Sequence, residues 1–111
     1  MSLDHAISLA LENPIKGFPR MAAVIYHKRR FVCFGYNKLV THPLQAKFCR
    51  HEEAIYLHAE IAAIVTAKKS VEDMIMYVAR VRKDNSPALA KPCVGCQKAL
   101  AFFKLKDVFW T

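Results

Sequence analysis

Residues 58–64 read HAEIAAI, and they place a histidine and a carboxylate two positions apart, directly before an apolar run. The apolar positions recur at the spacing of one helix face, at Ile61, Ile64, Val65 and, through its aliphatic stem, Lys68. This pattern predicts a helix and leaves two interpretations of His58 and Glu60. They are either an ordinary capped and solvated helix start, or one half of a metal site whose other half lies elsewhere in the chain.

A second stretch, PCVGC at residues 92–96, offers that other half. Pro92 is tolerated at a helix start, and the i, i+3 spacing puts Cys93 and Cys96 on one side of a first helical turn. In a cytoplasmic chain this spacing favours a metal or redox site over a structural disulfide. A redox pair would be expected in a thioredoxin-like fold, and no matching first strand–helix unit is evident.

The remaining periodicities predict a mixed α/β domain. Its predicted elements are a helix capped by Asp4 and running to Leu11, a hairpin of strands 20–26 and 30–36, a loop over 37–50, the HAE helix, a strand 74–81, a loop 82–91, a helix from Pro92 and a strand from Asp107. A hairpin followed by two right-handed strand–helix–strand crossovers gives a mixed sheet with the two later helices on one face. Their N-termini then meet near one sheet edge, which places His58 beside Cys93 and Cys96.

One histidine and two cysteines match the ligand count of a catalytic zinc site, which keeps a fourth position open. Glu60 would then lie within reach of the zinc-bound water, whose pKa such a site lowers to about 7. A closed structural site is the alternative, with Cys49, His51 or His42 as the fourth ligand or as ligands of a second metal. The sequence alone leaves both alternatives open.

The net charge and the apolar content of the chain limit the kinds of partner that we expect. The 111 residues carry 17 Lys and Arg against 9 Asp and Glu, a net charge of +8, which favours an anionic partner such as a phosphorylated small molecule or a nucleic acid. Arg80 and Arg82 alternate with apolar residues, which is typical of a solvated strand face and leaves a phosphate contact open. Because the chain has neither a membrane-length apolar run nor a basic N-terminal cluster, we expect one soluble cytoplasmic domain over 1–111, with no membrane contact.

The paired motif H-x-E…P-C-x-x-C is the general signature of zinc deaminases. With HAE at 58–60 and PCVGC at 92–96, the chain resembles the cytidine and deoxycytidylate deaminase superfamily over nearly its whole length. The stretch GYNKLVTHPLQAKF, residues 35–48, is similar to small phage-like deaminases of nucleotide metabolism. The resemblance implies a three-layer, cytidine-deaminase-like α/β sandwich. It also leads us to expect that the usual C-terminal helix and strand are lacking.

The resemblance further implies roles for individual residues. His58, Cys93 and Cys96 would bind Zn²⁺, and Glu60 would shuttle protons while zinc-bound hydroxide attacks C4 of cytosine to give uracil. Asn37 would contact the substrate sugar, although it could equally be a turn residue after Gly35. The backbone N–H of Ala59 would lie near the pyrimidine ring.

The expected substrate is a free pyrimidine nucleoside or nucleotide of the CMP or dCMP type, deaminated by a homo-oligomer. One alternative is deamination of single-stranded nucleic acid or tRNA, which needs a basic channel with aromatic stacking. A second alternative is a non-catalytic binding protein that keeps zinc only for stability.

Overall fold

The computed structural model describes residues 2–49 and 56–111. Within these ranges the helices are α1 (Leu3–Leu11), α2 (Pro43–Phe48), α3 (Ala59–Ala67) and α4 (Val94–Phe102). The strands are β1 (Arg20–His27), β2 (Arg30–Tyr36), β3 (Ile75–Val81), β4 (Pro87–Ala88) and β5 (Asp107–Trp110). The predicted hairpin, both crossovers and the last strand are therefore present.

The strands form one mixed sheet with β3 at its centre. β1 pairs antiparallel with β2 on one side and with β3 on the other. Both β4 and β5 pair along the remaining edge of β3, β4 antiparallel near its end and β5 parallel nearer its start. The parallel pairing of β3 with β5 requires a crossover, which α4 supplies.

Helices cover both faces of the sheet, because alternate residues of the central strands are apolar on both sides. Ala22 and Val24 of β1 pack with α1 on one face, whereas Ala23 and Ile25 pack with α3 on the other. Gly35 of β2 lets α3 approach closely, since a Cβ there would lie 2.3 Å from the backbone nitrogen of Ala63. The predicted three-layer α/β sandwich is confirmed.

Local predictions failed at four places. Helix α1 begins at Leu3 after Ser2, so Asp4 lies in its first turn and is not its cap. The predicted loop over 37–50 contains the short helix α2, and the predicted loop over 82–91 contains β4. Helix α4 begins after Cys93, so Pro92 precedes it. Elements of two and six residues are too short to show a period, and for this reason they were missed.

The tertiary contacts that position the site come from α3 and α4. A third apolar cluster joins these two helices through buried residues including Ile61, Ala62 and Ala99. None of the helices in the described ranges has the length and apolarity to cross a bilayer.

Candidate metal centre and active site

The N-termini of α3 and α4 carry the predicted ligands. His58 is the N-cap residue of α3 and has extended backbone angles, but its side chain makes no capping hydrogen bond. Cys93 is the N-cap residue of α4, and its Sγ accepts a hydrogen bond from the backbone N–H of Cys96 at 3.4 Å. Both side chains thus stand at the helix ends, where backbone dipoles favour negative charge.

The structure brings these three side chains together at the separations of a tetrahedral metal site. Nδ1 of His58 lies 3.3 Å from Sγ of Cys96 and 3.7 Å from Sγ of Cys93. Zn–S and Zn–N bonds of about 2.3 and 2.0 Å in a tetrahedron hold nitrogen and sulfur about 3.5 Å apart and two sulfurs about 3.8 Å apart. The two nitrogen–sulfur separations therefore fit a zinc site.

Cys49 adds a fourth donor to this cluster. Its Sγ lies 3.9 Å from Sγ of Cys93, and the four donor atoms all lie within 4.8 Å of one another. Of the other fourth ligands considered from the sequence, His42 instead accepts a hydrogen bond from the backbone N–H of Leu44 at the start of α2. His51 lies outside the described residues.

The three sulfurs of the cluster differ strongly in acidity. Hydrogen bonding from Cys96, with further help from His58, lowers the pKa of Cys93 to about 3. Burial, followed by the charge of Cys93, raises the pKa of Cys49 to about 11. The hydrogen bond to Cys93 and burial also raise the pKa of Cys96. Cys93 is thus the first sulfur to carry negative charge.

Glu60 is a buried acid at the metal cluster. Its side chain is 2 % exposed, and Oε1 has no hydrogen-bond partner among the residues that the structure describes. Burial raises its pKa, against hydrogen bonding and the nearby His58, which lower it. Buried carboxylate oxygens normally have hydrogen-bond partners, so a buried acid with one unsatisfied oxygen beside a cavity is a candidate for proton transfer.

A cavity of about 290 Å³ opens onto this acid. Its wall includes His58, Glu60 and Cys93, but neither Cys49 nor Cys96. Phe18 and Tyr56 also line it, and their rings meet edge to face at 6.4 Å while remaining about half exposed. The cavity therefore offers a flat ring both aromatic contact and an acid. Neither aromatic residue belongs to a sequence motif, and from the sequence alone packing was the favoured role for Tyr56.

The structure gives the two residues that were predicted to contact the substrate, Asn37 and Ala59, different surroundings. Asn37 lines the cavity, but its Oδ1 accepts hydrogen bonds from Asn13 and from the backbone of Met21, and its Nδ2 donates to the carbonyl of Pro19. Among the described residues this leaves one Nδ2 hydrogen for a ligand. Ala59 is fully buried, and its backbone N–H belongs to the first helical turn, where N–H groups have no partner within the helix.

Arg80 joins the cavity to a neighbouring basic one. It lines both the 290 Å³ cavity and a second of about 570 Å³ whose lining also includes Lys16, Arg20, Arg82 and Lys83. Arg20 and Arg82 are held in place by acceptors, among them the carbonyl oxygens of Arg82 and Pro87, respectively. The buried Nε of Arg80 has no partner in the described parts of the chain. Arg80 therefore places a cationic side chain at the junction of the two cavities.

Soft metal ligands at two helix N-termini, with a buried acid at their side, are the arrangement of a zinc-dependent hydrolytic deaminase. Sequence comparison agrees. The chain belongs to the family described as the cytidine and deoxycytidylate deaminase zinc-binding region, which matches residues 2–111. No curated protein sequence gives a significant match.

Solved structures share the fold at low sequence identity. The dCMP deaminase of cyanophage S-TIM5, in complex with dCMP and dUMP, superposes with a TM-score of 0.66 at 19 % identity, covering 97 % of this chain and 76 % of that one. Guanine deaminase from Bacillus subtilis superposes with a TM-score of 0.61 at 25 % identity, covering 98 % of this chain and 60 % of that one. The third is the diaminohydroxyphosphoribosylaminopyrimidine deaminase / 5-amino-6-(5-phosphoribosylamino)uracil reductase of Thermotoga maritima. It superposes with a TM-score of 0.58 at 19 % identity, covering 97 % of this chain and 27 % of that one.

Proposed function

We propose that this deaminase converts the cytosine of a free pyrimidine nucleotide, of the CMP or dCMP type, to uracil. The observation that carries the proposal is Glu60, a buried acid whose Oε1 has no partner in the described ranges and which lines a cavity together with His58 and Cys93. In the reaction a bond forms between C4 and a water oxygen, the C4–N4 bond breaks, and ammonia leaves. An acid at this place can serve every proton transfer that the change requires.

His58, Cys93 and Cys96 would hold the metal. When bound, zinc supplies Lewis acidity and lowers the pKa of a ligated water. Glu60 would take one proton from the attacking water and give it to the ring nitrogen, and then take the second proton, from the new C4 hydroxyl, and give it to the leaving amine. Because burial raises the pKa of Glu60, the carboxyl group holds a transferred proton more firmly than a solvated glutamate would.

The cavity wall would orient the base and the sugar. Phe18 and Tyr56 contact the faces of the pyrimidine, and the backbone N–H of Ala59, which has no partner within its helix, donates to its polar edge. The remaining Nδ2 hydrogen of Asn37 donates to a sugar hydroxyl. Because its other polar contacts fix the amide in the fold, Asn37 presents this hydrogen in a preset direction.

Arg80 is the reason to favour a nucleotide over a nucleoside. It stands where the base cavity meets the basic cavity, and its buried Nε lacks a partner within the described residues. A 5′-phosphate at this junction would give Arg80 a charge-assisted hydrogen bond. The complex of the similar cyanophage enzyme with dCMP and dUMP supports the same class of substrate.

The direct test is uracil production by zinc-loaded protein from cytidine, CMP, deoxycytidine and dCMP, with Glu60→Gln as the inactive control. We expect turnover of the monophosphates with a higher kcat/KM than that of the nucleosides. The absence of turnover for all four compounds would contradict the proposal, and equal kcat/KM for nucleosides and nucleotides would contradict the part assigned to Arg80.

Deamination of single-stranded nucleic acid is the second candidate, favoured by one observation. The basic cavity, at about 570 Å³, is larger than one phosphate requires, and the chain carries a net charge of +8. A polynucleotide backbone would use several of these cations and bind more weakly as salt increases. If this holds, Lys83→Ala would weaken the binding of an oligonucleotide substrate and leave the KM for a monophosphate unchanged.

We also propose that the protein is a homo-oligomer. Exposed apolar side chains support this, including Leu89 at 68 % and Val94 at 65 % exposure near the cavity, and Phe109 and Trp110 on the edge strand β5. Large apolar groups of this kind are typical of surfaces covered by a partner. Light scattering at micromolar concentration measures the mass, and a monomer would contradict the proposal.

A further inference from the structure

The position of Cys49 relative to the metal ligands is fixed by two anchors of α2. Its backbone N–H, just past the end of the helix, donates to the carbonyl of Gln45 at 2.8 Å. The side chain of Gln45 in turn accepts the backbone N–H of His58 at 3.0 Å through Oε1. The same helix therefore holds Cys49 and the backbone of one predicted ligand, so the spacing between them is set by the fold.

Gly95 shows that the chain makes room for this sulfur. A Cβ on Gly95 would lie 2.2 Å from Sγ of Cys49 and 2.7 Å from the carbonyl oxygen of Phe48. Any other residue at this position would push Cys49 away from the first turn of α4. The glycine between Cys93 and Cys96 therefore permits a third sulfur to reach the cluster.

A buried cysteine can also be a simple core residue, and Cys33 shows what that looks like here. Cys33 is 8 % exposed and donates to the carbonyl of Ala63 at 3.2 Å, within the apolar cluster between β2 and α3. Cys49 is 3 % exposed, but its Sγ faces two other sulfurs and an imidazole nitrogen within 4.8 Å. Packing alone accounts for Cys33, whereas Cys49 has the surroundings of a metal ligand.

We infer that Cys49 is a fourth protein ligand, so that the resting zinc centre of this chain is closed by three cysteines and one histidine. Four side chains complete the tetrahedral shell that zinc prefers. With four protein ligands bound, zinc would have no position for a water, so deamination would require Cys49 to leave the metal. This last consequence rests on the proposed function; the ligand assignment does not.

Zinc K-edge X-ray absorption of the unmodified protein tests the assignment directly. We expect about three sulfur ligands and one nitrogen per zinc, against two sulfurs for an open site. This measurement needs no variant, so the test can be made even if removal of Cys49 prevents folding. A count of two sulfurs would overturn the inference.

Cobalt substitution gives an independent readout with a matched control. Absorption from thiolate-to-cobalt charge transfer, per bound Co²⁺, should fall by about one third in Cys49→Ala, since one of three thiolates is lost. Cys33→Ala removes an equally buried cysteine outside the cluster and should leave this absorption unchanged. Equal absorption in the parent protein and in Cys49→Ala would refute the ligand role.

Activity separates this inference from the proposed function. If both hold, Cys49→Ala loses zinc faster to a chelator and turns over cytosine nucleotides faster while zinc is present. Three sulfurs together with no deamination would leave the ligand assignment intact and remove the proposed function. Two sulfur ligands per zinc together with deamination would refute the ligand assignment and leave the proposed function intact.

Discussion

The metal cluster has a cavity side and a helix side, and the two are built differently. On the cavity side, made by Glu60 with His58 and Cys93, a buried carboxylate oxygen lacks a partner within the described residues, and about 290 Å³ of space opens before it. On the helix side, made by Cys49 and Gly95, the fit is so tight that a single added carbon would collide. Space beside an unsatisfied acid is suited to a reaction, whereas close packing around a sulfur is suited to retaining a metal.

The largest effect should come from the cavity side. Glu60→Gln removes the proton carrier but keeps the size of the side chain, so kcat/KM for the best nucleotide should fall by about 10²- to 10⁴-fold. Zinc content should stay the same, because Glu60 is not among the four clustered donors. A deamination assay and metal analysis of the same samples make the comparison. Unchanged activity in the folded, zinc-loaded variant would remove the chemical role of this side.

Arg80→Leu should have the next largest effect and should be selective. A hydrogen bond to a charged group contributes roughly 1.5–3 kcal/mol, so the KM for a monophosphate should rise by about tenfold or more. The KM for the corresponding nucleoside should change little. Steady-state kinetics with dCMP and deoxycytidine measure both, and Lys83→Ala, which alters only the larger cavity, is the control. A parallel rise for nucleoside and nucleotide would indicate a structural role for Arg80.

Gly95→Ala probes the helix side. The added Cβ displaces Cys49, so zinc affinity should fall by about tenfold, in the range that supporting residues of metal sites contribute. Competition with a chromogenic chelator measures the affinity. Val94→Ala is the control, because Val94 lies in the same turn but is 65 % exposed. If both variants retain zinc equally well, the close fit around Cys49 has no part in metal binding.

Asn37→Ala removes the proposed contact with the sugar hydroxyl and should also lower the stability of the fold, the smallest of these effects. It leaves the donors Asn13 Nδ2 and Met21 N–H without their acceptor, which should lower the free energy of unfolding by about 1–2 kcal/mol. Urea denaturation measures this. Asn37→Asp keeps the acceptor oxygen and should retain more of the stability. A loss of activity without any loss of stability would instead assign Asn37 to the substrate alone.

Sequence patterns predicted most of the fold because its main elements are long enough to show a period. The hairpin was predicted as 20–26 and 30–36 and spans Arg20–His27 and Arg30–Tyr36. Helix α2 was missed because six residues give less than two turns and its start depends on His42 and Pro43. This omission matters most, since α2 carries Cys49 to the metal cluster.

The sequence by itself determined that His58 and Glu60 flank a helix start and that Cys93 and Cys96 share a first turn, because motif spacing and helix period are local properties. Only the tertiary structure decided that Cys49 joins them, that Glu60 is buried with an oxygen that has no partner within residues 2–49 and 56–111, and that Arg80 lines two cavities. These are distances between segments far apart in the chain. They are set by how α2, α3, α4 and β3 pack together, and a single sequence carries no periodic signal for such packing.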